Sequence, residues 1–258
     1  MEAFGLIASF IFGAIIGSFL NVCAYRLPRE ESIIYPHSRC PKCKTAIRWY
    51  DNIPILSFIF LRGRCRYCRE RISWRYPLVE LASALFSLSL YREFGLGMAY
   101  LLFLAFLSAL LVASLIDLDF QIIPDEISLP GILVGWAFSF WNPLIGPFDS
   151  FLGALAGAGG LYLVGEFYYF LTKREGLGGG DLKLLAFIGS FLGLKSLIPV
   201  IFISSLVGAV IGIALGVIQR VQNKRFLAIP YGPFLSLGAL IYLFYPHLLD
   251  SLFGLLLR

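Results

Sequence analysis

Two aspartates and four cysteines stand out in a chain otherwise poor in charge. Asp117 is the first charge after a long apolar run ending LLVASLID, and Asp181 closes GLGGGD just before another apolar stretch. Two carboxylates that share a proton can hydrolyse a peptide bond: one takes a proton from the attacking water, the other protonates the carbonyl oxygen or the leaving amine. Cys40-x2-Cys43 and Cys65-x2-Cys68 have 21 residues between the pairs, just beyond the roughly 15–20 usual for zinc-ribbon sites. Four thiolates would close the tetrahedral shell of a structural Zn2+, and the Lys and Arg around them favour the thiolate form. Redox or iron–sulfur use is the alternative. A fifth cysteine, Cys23, lies inside an apolar run and reads as packing.

Each candidate also has a plainer reading. An aspartate before an apolar helix is ordinarily its N-cap, and glycines ahead of it can simply form a turn. Asp119, Asp125 and Glu126 read as solvated or capping, with Asp125 in the first turn of a helix. Glu80 and Glu166 interrupt apolar runs; Glu80 is expected to reach the membrane interface and Glu166 to need an internal partner. Helix-end fields would hold Asp181 anionic, with Lys183 adding positive charge, and leave Asp117 as the proton carrier.

The elements that must position these residues are membrane helices. Of 258 residues 59% are hydrophobic and 14% charged, against about 25% charged in soluble domains, and the mean hydropathy is +0.81. The net charge of +5 therefore bears on topology, and no nucleic-acid partner is expected. Continuous apolar runs at 3–25, 77–92, 97–116, 128–146, 149–171, 182–194, 196–219 and 229–256, the second and sixth short for full spans, predict an all-α polytopic membrane protein with about eight transmembrane helices. The first run lacks the basic start of a secretory signal and is followed by Arg26 and Arg29, so it should remain as an anchor with its N-terminus outside. Segments 26–76, 117–127, 172–181 and 220–228, with Lys183 on a flank, then lie on the cytoplasmic side and hold 18 of the 21 Lys and Arg. The expected organisation is a first helix (1–25), a zinc-binding cytoplasmic loop domain (26–76) and a helical bundle carrying both aspartates (77–258).

Six segments carry a resemblance to a known family. IGSFLNVCAYRLP, the double CxxC, YDNIPILSFIFLRGRCRYC and ISWRYPLVELASALF are similar to the N-terminal half of type IV prepilin peptidases. LIDLDFQIIPDEISLP and GLGGGDLKLLAFIGSFLG resemble the two catalytic motifs of that family, the second being the GxGD pattern also found in presenilin-like intramembrane aspartyl proteases. The resemblance implies a bifunctional inner-membrane enzyme. It would cleave the basic leader of type IV prepilins or pseudopilins on the cytoplasmic side and then methylate the new N-terminus with S-adenosylmethionine. It implies that Asp117 and Asp181 carry proteolysis, and that Cys40, Cys43, Cys65 and Cys68 form a zinc module linked to methylation. Gly178, Gly179 and Gly180 would let an extended substrate backbone approach closely. No glycine-rich nucleotide fingerprint appears in 26–76, so the methyl-transfer residues stay unassigned. The rival readings are a transporter using the carboxylates for protons or metal ions, and a scaffold docked through its zinc loop.

Overall fold

The computed structural model describes residues 2–173, 178–218 and 230–256. The cytoplasmic segment expected at 220–228, and 174–177 at the start of the glycine run, lie outside the described residues.

Among the described residues ten α-helices follow in order: α1 (Glu2–Arg26), α2 (Leu56–Phe60), α3 (Arg75–Phe94), α4 (Met98–Phe120), α5 (Asp125–Phe138), α6 (Pro147–Thr172), α7 (Gly179–Leu192), α8 (Leu197–Ile218), α9 (Gly232–Phe244) and α10 (Pro246–Leu256). Their ends follow from local chemistry. Gly95 and Gly193 stop α3 and α7 at φ of 65° and 79°, conformations that cost a glycine little. Pro147 opens α6 in the first turn, where a missing amide hydrogen costs nothing.

Helices replace the expected apolar runs nearly one for one, but fewer of them qualify as full spans. Among the described residues four are long and apolar enough to cross a membrane, five if α9 and α10 form one span broken by 102°. The break falls at Tyr245–Pro246, where proline cannot continue the helix. The helices α5 and α7 are 14 residues each, about 21 Å at 1.5 Å per residue, against a hydrocarbon core of about 30 Å. Helix α3 is longer but carries Arg75, Glu80, Arg92 and Glu93.

The chain forms two compact units, residues 1–112 and 113–258. In the first, α1 packs along α3 through glycines: a Cβ on Gly13 would lie 2.6 Å from the Ser83 carbonyl oxygen, and one on Gly17 2.6 Å from Glu80 Cα. Ser87 Oγ donates to the Ser9 carbonyl at 2.5 Å, and Asn21 Nδ2 to the Tyr76 carbonyl at 3.2 Å. Cys23 is buried on α1, as a packing residue should be. In the second unit α7 is central, and every residue from Leu184 to Leu192 is buried. Gly153 of α6 and Gly189 of α7 bring the two backbones together, each facing the other's carbonyl oxygen. Gly157 faces the Leu185 carbonyl. Glu166, expected to need an internal partner, sits instead on the exposed face of α6.

Candidate active site and metal centre

Asp117 lies in the last turn of α4 and is only 5% exposed. Its Oδ2 accepts the backbone amide of Gly232, the first residue of α9, at 2.8 Å. One turn earlier, Ser114 Oγ donates to Ser236 Oγ at 2.8 Å, tying α4 to α9 beside the carboxylate. A Cβ on Gly232 would stand 2.7 Å from Asp117 Oδ2, so a larger residue there would displace the carboxylate.

Asp181 is the third residue of α7, half-buried, with its amide on the Gly178 carbonyl at 3.1 Å. Gly178, not Asp181, is the N-cap. The carboxylate is thus left in the positive field of the helix N-terminus without being spent on a cap. The two aspartates lie close enough for the Asp117 charge to act on Asp181. Ile123 lies among their neighbours: a Cβ on Gly180 would meet its Cβ at 3.1 Å, and one on Gly232 its Cδ1 at 3.4 Å.

Two expectations about this pair change. Lys183 turns away from Asp181 and pairs with Asp125 at 2.6 Å on the surface. Asp117, although at a helix C-terminus, receives the amide that opens α9, so each carboxylate meets the N-terminal end of a helix. The helix-end argument that made Asp117 the proton carrier therefore fails. The three glycines differ as well. Gly180 packs on Ile123, whereas among the described residues a Cβ on Gly178 would meet only Asp181, at 3.5 Å, and one on Gly179 nothing within 4 Å. The sequence did not single out Gly232; its Gly-Pro at a helix start marks a turn, not a partner for Asp117 115 residues away.

In the first unit the four cysteines converge. Their sulfurs all lie within 4.8 Å of one another, and Cys40 Sγ and Cys68 Sγ are 3.7 Å apart. A tetrahedron with Zn–S bonds of about 2.3 Å has edges of about 3.8 Å, so the donor set fits Zn2+. The two pairs are built alike. Cys40 amide to Thr45 carbonyl and Lys44 amide to Cys40 carbonyl correspond to Cys65 amide to Glu70 carbonyl and Arg69 amide to Cys65 carbonyl. Lys44 and Arg69 share a φ of 58°, and the bridges Arg39–Ala46 and Arg64–Arg71 close the two knuckles. Arg66 braces the second knuckle with a two-pronged bond to Asp51.

Two of the thiols are held toward the ionised form that a metal ligand needs. Hydrogen bonds from the Thr45 side chain and backbone lower Cys43 to about 6, and the Cys68 and Tyr67 amides lower Cys65. At Cys68 the Glu70 amide favours the thiolate, but desolvation and the three neighbouring sulfurs push it up to about 11. Accumulated negative charge resists the last ionisation, and a dication would relieve it. For S-adenosylmethionine the fit is poorer: Gly63 is the one glycine in 26–76, and it packs against Phe58, so no glycine-rich cradle is present.

Comparison with known proteins gives the same two-part division. Residues 11–94 match the bacterial peptidase A24 N-terminal domain, and residues 104–213 match the type IV leader peptidase family. The chain is 38% identical to a prepilin leader peptidase/N-methyltransferase of Pseudomonas putida, covering 90% of this chain and 87% of the relative. It is 40% identical to the protein of that name in Myxococcus xanthus over 79% and 61%, and 37% identical to the one in Aeromonas hydrophila over 90% and 88%. No solved structure matches. With relatives this similar aligned over most of both chains, the protein belongs to the prepilin leader peptidase/N-methyltransferase family.

Proposed function

We propose that the protein cleaves the leader from type IV prepilins or pseudopilins with Asp117 and Asp181, and then methylates the exposed N-terminal amine. The observation that carries this reading is geometric: Ile123 packs at Gly180, next to Asp181, and at Gly232, whose amide Asp117 accepts, so carboxylates from two helices converge on one place. Such a pair shares a proton. The ionised member takes a proton from water as it attacks the scissile carbonyl; the protonated member gives one to the carbonyl oxygen, and the leaving amine is protonated as the C–N bond breaks. The Gly232 amide on Asp117 and the α7 N-terminus at Asp181 stabilise the ionised form of either.

The family's name supports S-adenosylmethionine as donor, which when bound supplies the methyl group. Zn2+ held by Cys40, Cys43, Cys65 and Cys68 would fix the two knuckles against each other. In this reading α3, α5 and α7 complete an eight-span bundle in the bacterial inner membrane. Its N-terminus lies outside and its site faces the cytoplasm, the side that gathers 18 of 21 Lys and Arg.

Purified protein incubated with a prepilin tests the dyad. Asp117→Asn and Asp181→Asn should each slow cleavage by about 10²–10⁴ or more, the usual worth of general acid–base catalysis. Asparagine can still accept the Gly232 amide, so the fold should persist. Unchanged cleavage in both variants rejects the assignment.

A further inference from the structure

Glu80 interrupts the apolar run of α3, yet it is buried and takes no part in the site described above. Its Oε2 accepts the Ile55 amide at 2.7 Å. Ile55 immediately precedes α2 at φ 62°, ψ −52°, and the Leu56 amide folds back on the Pro54 carbonyl at 2.6 Å. This is a γ-turn of positive φ, which a β-branched residue rarely adopts.

The Glu80 bond fixes how deep α2 sits. Glu80 lies against Gly17 of α1, and Asn21, one turn further along α1, reaches Tyr76. The two helices therefore run antiparallel. Gly17 is nine residues before the end of α1 at Arg26, about 13 Å of helix. The Glu80 side chain leans back toward the start of α3, which shortens that depth by about one turn. The start of α2 thus lies about 5–10 Å inside the level at which α1 ends, the depth at which interfacial helices lie.

The segment has what that depth demands. Leu56, Ile59 and Phe60 share one helical face and are 52%, 62% and 81% exposed. Trp74, packed on Phe58 at 4.8 Å, is exposed beside them. The amides of Leu56, Ser57, Ile59, Leu61, Arg62, Gly63 and Arg64 all bond to carbonyls within the segment. Backbone at lipid depth must be satisfied internally, and Glu80 supplies the acceptor that the turn leaves wanting. Exposed Arg62 and Arg64 follow directly. Residues 26–76 carry 12 Lys and Arg against 4 Asp and Glu, a balance complementary to anionic headgroups.

We propose that α2 is a membrane-inserted anchor of the cysteine loop. Leu56, Ile59 and Phe60 enter the leaflet at the C-terminal end of α1, and Arg62 and Arg64 bind the phosphates of anionic lipids there. The full-length zinc-loaded protein tests this in phosphatidylcholine–phosphatidylglycerol vesicles. Phe60→Cys and, as a second position, Ile59→Cys are labelled with an environment-sensitive fluorophore, with Lys42→Cys as reference and unsubstituted protein as blank. Positions 59 and 60 should be quenched about threefold more than position 42 by nitroxide lipids and be shielded from aqueous iodide, as insertion requires. Iodide quenching equal to that at position 42 overturns the proposal. So does protection from both quenchers, which means another protein surface or a second copy covers α2. Arg62→Ala with Arg64→Ala should abolish the difference in lipid quenching between anionic and pure phosphatidylcholine vesicles; an unchanged difference rejects the headgroup contact.

Discussion

Gly179 and Gly180 are neighbours in sequence with different work to do. A methyl on Gly180 would press into Ile123, which also lies against Gly232, while one on Gly179 would meet nothing within 4 Å among the described residues. Gly180→Ala should therefore destabilise the second unit by about 1–3 kcal/mol, the usual cost of overpacking. Gly179→Ala should leave the melting temperature unchanged or raise it, since alanine favours a first helical turn. If substrate backbone lies over Gly179, the same variant should lower kcat/KM for prepilin cleavage. Full activity would leave that glycine with no substrate role. The sequence offered both aspartates, because a charge at the edge of an apolar run is conspicuous. It could not offer Gly232, whose role exists only once α9 delivers its amide to Asp117.

At the scale of elements, α7 carries Asp181 and is held by close backbone contact rather than by interlocking side chains. Gly153 and Gly189 face each other's carbonyl oxygens, Gly157 faces Leu185, and Ser150 Oγ donates to the Ser190 carbonyl at 2.6 Å. Small residues at such crossings let membrane helices approach closely. Gly189→Leu should push α7 from α6, shift Asp181 and abolish cleavage. Gly159→Leu on the same α6, where an added Cβ meets no neighbour, should leave cleavage near wild type. Equal activity in both variants, measured at equal protein level, would show that this contact does not set the position of Asp181. Hydropathy revealed the long helices α1, α4, α6 and α8 and the short α7, but ran past the end of α5 and merged α9 with α10. An apolar run does not say where the chain leaves the helix, and the Pro246 bend lies within continuous apolarity.

Over the whole molecule, the proposed function puts the two chemistries in different units. The cysteine knuckles lie within residues 1–112 and both aspartates within 113–258, a division that follows the two family matches. The paired CxxC spacing pointed to the convergence of four sulfurs, whereas the shared backbone pattern of the knuckles and the Glu80–Ile55 bond depend on contacts that spacing alone does not encode. Structural zinc binding is folding energy, so losing it should loosen the loop first. Cys40→Ser, buried among the four sulfurs, should lower zinc content and speed hydrogen exchange at the amides of Cys40, Lys44, Cys65 and Arg69. It should also cut methylation of an already cleaved pilin, while prepilin cleavage stays within about twofold of wild type, because in the proposed division the cysteines and the dyad share no partner. Asp181→Asn should do the reverse, methylating a pre-cleaved pilin while failing to produce one. Mass spectrometry of the pilin N-terminus reads both reactions in one sample. If Cys40→Ser abolishes cleavage while exchange across α7 remains slow, the cysteine unit takes part in proteolysis and the division of labour by unit is wrong.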